Sequence, residues 1–220
     1  MRSKIIVVML LFAAAGVFAQ QAVIQDITGT VELKRPGSAT WEYAVRGQSI
    51  PVNTVISTGF KSYAVIGVGS SVLTVRPVTR LSITELTRAQ ETERIEVSLS
   101  SGRLRSDVKA PAGAKTSFTV QNPVATASVR GTIFEMDGFN VWVLNGTVSY
   151  AGVFGAPAII DAGGSNSVNE RTKRVVFPED AESFILKPDL PIAWDYIPSV
   201  DRPVSSKSQT DMDSTAVINY

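Results

Sequence analysis

From Gln21 to about Tyr150 the chain is written in short apolar runs that alternate with polar residues, broken by turn residues about every 8 to 12 positions. Val31 and Leu33 stand between charged neighbours. Ala64, Ile66 and Val68 share one face of a run whose other face is Tyr63, Val65 and Gly67. Leu73 with Val75, Leu81 with Ile83, and the trio Ile95, Val97 and Leu99 repeat the pattern. Phe118 with Val120, Val141 with Val143, and Val148 with Tyr150 continue it. Side chains two apart leave the same face of a sheet, so each set can aim at one core. The alternation predicts an all-β fold, either a jelly-roll-like sandwich or a short β-solenoid built from many short strands.

Turn chemistry agrees with that reading. Gly-rich or Pro-rich breaks fall at Arg35 to Ser38, Gly67 to Ser71, Ser100 to Gly102, Pro111 to Gly113, Asp137-Gly138 and Asn145-Gly146. Asn-Gly tolerates the positive φ that tight hairpins demand, which makes Asn145-Gly146 the strongest hairpin signal. Only Leu86 to Val97 holds strong helix formers without Gly or Pro, and its tail alternates like a strand. Leu86 to Glu91 is therefore expected to be a loop or one helical turn. After Tyr150 the chain turns rich in Gly, Ala and Ser, with two further short strands predicted at Val175 to Phe177 and Phe184 to Leu186. Pro178, Pro188, Pro191, Pro198 and Pro203 disfavour regular sheet beyond. Trp194, Tyr196 and Ile197 are expected to form an apolar anchor.

The ends set the compartment. Arg2 and Lys4 precede an apolar run from Ile5 to Gly16, and Val17-Phe18-Ala19 precedes two glutamines. That is the form of a secretory signal peptide cut after Ala19, and the run is shorter than the roughly 20 residues a bilayer requires. The expected organisation is a removed leader at 1–19, a β domain at 20–152, a trailing β and loop extension at 153–190, and a mobile Pro-rich, polar tail at 191–220. No transmembrane segment is expected in the mature chain. Cysteine is absent, so lipoprotein acylation, disulfides and thiolate ligands are excluded. An exported chain without disulfides points to a bacterial periplasm or cell surface.

Charge adds little. The chain has 21 basic and 20 acidic residues, and loss of Arg2 and Lys4 with the leader leaves 19 against 20, or −1. The densest basic cluster, Arg171 to Arg174, reads as a solvated loop, and no nucleic-acid partner is expected. The absence of histidine excludes Ser-His and Cys-His nucleophilic systems and nearly all zinc sites. Carboxylate chemistry survives on paper through Glu85, Glu91, Glu93, Glu96, Asp107, Glu135 and Asp137. Their spacing singles out no pair, and the plain reading is that they balance nearby Arg and Lys. No phosphate loop, dinucleotide fingerprint or calcium loop is present, so no cofactor and no metal are expected.

The stretch VQNPVATASVRGTIFEM, Val120 to Met136, poses a sharper question. Pro123 opens an extended segment, and Ala125, Ala127 and Ser128 are small enough for close packing. Gly131 predicts a bulge, bend or close backbone approach. Arg130 beside it can serve carbonyls freed by the bend, with Glu135 and Asp137 as further partners, or bind an anionic ligand. The first of these is the preferred reading.

These blocks together resemble the FecR domain of bacterial envelope proteins. The resemblance runs from TGTVELKRPGSATWEYAVRGQSI through VNTVISTGFKSYAVIGVGSSVLTVRPVTRLSI and LSSGRLRSDV to FTVQNPVATASVRGTIFEM and VWVLNGTVSYAG, about Val23 to Gly152. Arg130, Gly131, Thr132, Gly59, Gly102 and Gly146 are its structural motif residues. The resemblance implies an all-β, extracytoplasmic domain. In well understood relatives that domain relays the state of an outer-membrane receptor to a cytoplasmic anti-sigma segment, an apparatus that this sequence, with its cleavable leader, lacks. The expected function is a non-enzymatic interaction module, signalling-related or not, that binds an envelope protein or a cell-wall glycan. Trp41, Tyr43 and Trp142 are candidate binding aromatics, although aromatics of this kind more often fill the core. The alternatives are a carbohydrate-active enzyme with a carboxylate pair, or a structural part of a surface assembly.

Overall fold

The computed structural model describes residues 21–89 and 91–177. The leader, the predicted strand at Phe184 to Leu186, the Trp194 anchor and the tail at 191–220 lie outside the described residues. Among those described, every regular element is a strand, and the strands form two sheets that do not close into a barrel.

The first strands are β1 (Ala22–Thr28), β2 (Val31–Lys34), β3 (Glu42–Tyr43), β4 (Ser49–Ile50), β5 (Val55–Thr58), β6 (Tyr63–Val68) and β7 (Ser71–Val75). The long pair β8 (Arg80–Ala89) and β9 (Thr92–Ser101) follows, then β10 (Leu104–Asp107), β11 (Lys115–Gln121), β12 (Ala125–Val129) and β13 (Ile133–Met136). The chain continues through β14 (Asn140–Asn145), β15 (Thr147–Gly152), β16 (Ala158–Asp161) and β17 (Ser165–Ser167). One sheet has eight strands in the order β17-β14-β13-β10-β7-β6-β1-β4, and the other has nine in the order β16-β15-β12-β11-β9-β8-β5-β2-β3. Both orders advance along the chain with one local reversal each at the early end. Two facing many-stranded sheets agree with the all-β expectation. All neighbours pair antiparallel except β9 with β11, which run parallel.

The alternation carries the core as read from the sequence. Val31, Leu33, Ala64, Ile66, Val68, Leu73, Val75, Leu81, Ile83, Ile95, Val97, Leu99, Phe118, Val120, Val141, Val143, Val148 and Tyr150 are all buried. Phe118 of one sheet meets Phe134 of the other edge-on at 6.2 Å and 75°, a geometry worth about 1 kcal/mol beyond the area it buries.

Two local expectations are corrected. Within the predicted loop or helical turn at Leu86 to Glu91, Leu86 to Ala89 is strand, because β8 runs on to Ala89 and pairs with β9 as a long hairpin. A bulge between Ile83 and Glu85 shifts the inward-facing parity from Leu81 and Ile83 to Leu86, and that broken alternation imitates helical spacing. Asn145-Gly146 does not close a hairpin: β14 belongs to the eight-stranded sheet and β15 to the nine-stranded one, so the pair marks a crossing between sheets. Positive φ at Gly146, 84°, serves a corner as well as a hairpin. Val175 makes a single bridge to Val168 in place of the predicted strand at Val175 to Phe177.

The crossings share a construction: a buried hydroxyl packs against a glycine or takes its place in the backbone hydrogen bonding. Ser62 Oγ accepts from Thr30 N at 2.9 Å and donates to Phe60 O. Thr79 Oγ1 accepts from Arg103 N at 3.0 Å, and a Cβ on Gly102, whose φ is +88°, would lie 2.5 Å from Thr79 Cα. Gly59 joins two crossings through its backbone, donating to Thr30 O at 2.9 Å and accepting from Val78 N at 3.2 Å.

Candidate functional site

The Val-Arg-Gly-Thr segment is the crossing from β12 to β13, and its pin is the threonine. Thr132 is buried, exchanges backbone hydrogen bonds with Val108 at 3.0 and 3.2 Å, and donates from Oγ1 to Thr147 O at 2.9 Å. The expectation that Arg130 pins the bend is corrected. Arg130 is exposed and makes no hydrogen bond or ion pair with a described residue. Its proposed partners are engaged elsewhere: Glu135 with Arg76 and Asp137 with Arg103. Nor is Gly131 the close approach, since a Cβ there would meet nothing within 4 Å. That role falls to Gly146, where a Cβ would sit 2.8 Å from the Gly131 carbonyl oxygen.

The three candidate aromatics are scattered. Tyr43 lies on the edge strand β3 and is 73% exposed, and Trp41 just before it is 39% exposed with the Arg80 guanidinium 5.5 Å from its ring. Trp142 is half-buried on β14, with inward Val141 and Val143 on either side forcing the indole onto the outer face of the eight-stranded sheet. Around Trp142 the chemistry is organised.

The β13–β14 hairpin sets that organisation. Asp137 Oδ1 accepts from the Phe139 and Asn140 backbone N–H groups, each at 2.9 Å, and from Asn140 Nδ2 at 3.0 Å, an Asx turn that closes the hairpin. Asn122 Nδ2 donates to the carbonyls of Asp137 and Gly138 at 2.8 and 3.0 Å, tying the β11–β12 turn to the same hairpin. Tyr150, whose ring is fully buried in the other sheet, donates from its hydroxyl to Phe139 O at 2.8 Å. Burial, followed by the negative charge of Asp137, raises the Tyr150 phenol above its ordinary range, so it remains a donor.

Two arginines complete the surface. Arg103 Nη2 donates to Asp137 Oδ2 at 3.3 Å, and its guanidinium lies 4.8 Å from the Trp142 ring centroid. Arg76 reaches Glu135 with both Nε, 3.2 Å, and Nη2, 3.4 Å. Burial alone would push the Asp137 carboxyl up, but the Phe139, Asn140 and Arg103 donors together hold it below its ordinary value. Beside Trp142 opens a cleft of about 310 Å³ lined by the indole, Asn140, Ser165, Asn166, Ser167, Val176 and Phe177. An aromatic plane next to amides and hydroxyls can take an apolar ligand face while satisfying hydroxyls at its edge.

Of the residues read from the sequence, the structure brings Trp142, Glu135 and Asp137 to this surface and leaves Trp41, Tyr43 and Arg130 elsewhere. Arg103, Arg76, Asn140 and the Ser165 to Ser167 edge were not singled out, because only strand register, Trp142 opposite Glu135 on one side and Ser165 on the other, brings them together. The remaining candidate acids include Glu93, which is buried at the start of β9 and accepts from Ser70 N at 3.2 Å. Among the described residues no three acidic side chains cluster to hold a metal, and no helix is long and apolar enough to cross a membrane.

A fold of two many-stranded sheets, with its hydroxyl-pinned crossings, falls in a class of all-β domains, and comparison places it further. Residues 54–149 match the family model described as FecR protein. The matched span runs from β5 to β15; the earlier block from Thr28 to Ile50 lies outside it, although β1 to β4 pair into the same two sheets. Two crystal structures of a proposed anti-sigma factor from Parabacteroides distasonis ATCC 8503 are similar at 15% and 18% identity, each with a TM-score of 0.45. Each comparison covers 56% of this chain and 57% of the other, so the likeness spans little more than half of either protein. No curated protein matches the chain.

Proposed function

We propose that this protein is an exported, non-enzymatic binding module of the bacterial envelope, and that its ligand is a cell-wall glycan held in the cleft beside Trp142. The observation that carries the proposal is that cleft: an outward indole, fixed by Arg103, next to Asn140 and the Ser165 to Ser167 edge. Sugars present apolar C–H faces and hydroxyl rims, and this surface offers a counterpart to each. The signal-peptide form of the first 19 residues and the FecR match support an envelope location, as does the lack of cysteine.

The charge arrangement supports binding without turnover. A glycosidase needs one carboxyl held protonated at working pH, with its pKa raised by its surroundings. Asp137 is shifted the other way, and Glu135 is committed to the Arg76 fork. The test is sedimentation with insoluble cell-wall glycan. Wild-type protein is expected to co-sediment, and Trp142→Ala to lose retention at least about tenfold, or 1.4 kcal/mol. Equal retention of the two proteins would reject the cleft, and release of soluble sugar by wild type but not by a Glu135→Gln, Asp137→Asn variant would reject the non-enzymatic reading.

One observation favours a second reading, a protein partner. Among the described residues β16 is an unpaired sheet edge, and Val153 and Phe154 just before it are 56% and 58% exposed. An extended peptide could add to that edge through main-chain hydrogen bonds. Proline at Ile159 would then abolish partner binding and leave retention through the Trp142 cleft untouched.

A further inference from the structure

The outer face of the nine-stranded sheet carries a second groove, of about 580 Å³, and Arg130 lies in its wall. Strand register explains the composition of the groove. Thr119, Ser128, Ser149 and Ile159 pair in sequence across β11, β12, β15 and β16, which makes one outward row. The next row contains Arg94 opposite Ser117 and Thr147 opposite Asp161. Continuing the β11–β12 and β12–β15 registers by one outward position puts Arg130 between Ser117 and Thr147 in that second row. Neighbouring strands are about 4.8 Å apart, so the row offers cation, hydroxyl, cation and hydroxyl at roughly that spacing.

Apart from Thr147, the polar groups here are uncommitted. The hydroxyls of Ser117, Ser128 and Ser149 make no hydrogen bond with another described residue, and neither Arg94 nor Arg130 has a carboxylate within ion-pair distance among the described residues. Arg76 and Arg103 on the opposite face are both neutralised. The acidic neighbours bound the row and do not fill it. Asp161 at one end takes the Thr147 hydroxyl at 2.9 Å, and Glu96 stands on the adjoining row of β9. Val129 and Ile159 supply the apolar part of the lining.

We propose that this groove is a binding site for an acidic glycan, with a sugar carboxylate gripped by Arg130 and the sugar hydroxyls met by Ser117, Ser128 and Ser149. A guanidinium is a planar fork that matches a carboxylate with two parallel hydrogen bonds, and serine hydroxyls both donate and accept, as sugar hydroxyls do. Arg94, one strand beyond Ser117, is placed for a second carboxylate of the same oligomer. The site stands apart from the Trp142 cleft, on the other sheet, and does not depend on it.

The test is calorimetric titration of the protein with a galacturonate oligomer, with the methyl-esterified oligomer as the uncharged control and inorganic phosphate as competitor. Binding of the free acid is expected, at least about tenfold weaker for the methyl ester and for Arg130→Ala, and a smaller loss is expected for Arg94→Ala. Arg130→Lys should not restore full affinity, because an ammonium group lacks the fork. Trp142→Ala should bind the acid like wild type, which separates this site from the cleft. An unchanged denaturation midpoint for Arg130→Ala guards against misfolding as the cause. The proposal is overturned if the free acid does not bind, if Arg130→Ala or the methyl ester binds equally well, or if phosphate displaces the oligomer at matched concentration, which would make the groove a general anion site.

Discussion

Arg103 and Arg130 occupy comparable junctions and have opposite fates. Each stands where the chain passes from the nine-stranded sheet to the eight-stranded one, and each has a glycine beside it. At the first junction Gly102 is jammed against Thr79, and Arg103 is committed to Asp137 and the Trp142 ring. At the second, Gly131 lies in open space, Thr132 holds the corner, and Arg130 is left free over a groove of hydroxyls. The hydroxyl and the tight glycine make a crossing; the arginine does not. An arginine released from that task is available for a ligand.

The two glycines give the largest contrast. Gly102→Ala places a Cβ 2.3 Å from Thr79 Oγ1 at a φ of +88°, combining left-handed strain of about 1–2 kcal/mol with overpacking of about 1–3 kcal/mol. A loss of about 3 kcal/mol by chemical denaturation is expected. Gly131→Ala should stay within about 0.5 kcal/mol of wild type. Equal effects would dissolve the distinction between the corners.

The threonine and its neighbour come next. Thr132→Val keeps the volume but removes the donor to Thr147 O, and is expected to cost about 1–2 kcal/mol. Arg130→Ala, with no partner to lose among the described residues, should cost less than about 0.5 kcal/mol. A larger loss from Arg130→Ala than from Thr132→Val would restore the arginine as the structural pin.

A finer test uses acid. Asp137 has its carboxyl pKa depressed in the folded state, below the ordinary value of about 3.9. The unfolded chain therefore takes up a proton there first, so the stabilising contribution is complete above about pH 4 and is lost as pH falls through the folded value. Asp137→Asn removes that dependence. The stability difference between wild type and Asp137→Asn should shrink on acidification below about pH 4, and a difference independent of pH would show that the Asx turn, not the charge, is what Asp137 contributes.

Much of the fold was legible because alternation is a direct record of which side chains face inward. Ala64, Ile66 and Val68, or Val148 and Tyr150, can be assigned to a core before any partner strand is known. Connection type was less legible. Asn145-Gly146 needs positive φ whether the chain turns back on its own sheet or steps to the other, and local sequence does not separate the two. The bulge in β8 hid a strand by moving Leu86 out of register. The site was legible only in fragments: Trp142, Glu135 and Asp137 come from one hairpin, whereas Arg103, Ser165 and Phe177 join them through pairings between distant segments. Arg130 was conspicuous in sequence because it interrupts an uncharged run, but its freedom from Glu135 and Asp137 depends on Arg76 and Arg103, which lie at least 27 residues earlier in the chain.

The measurement that bears most directly on a binding role at Trp142 is the dissociation constant of soluble cell-wall glycan fragments for wild type and Trp142→Ala, with the recovered ligand weighed by mass spectrometry. The account predicts saturable binding by wild type, a loss of at least about tenfold in the variant, and ligand recovered intact. Unchanged affinity in Trp142→Ala, no binding by wild type, or cleaved ligand would contradict it.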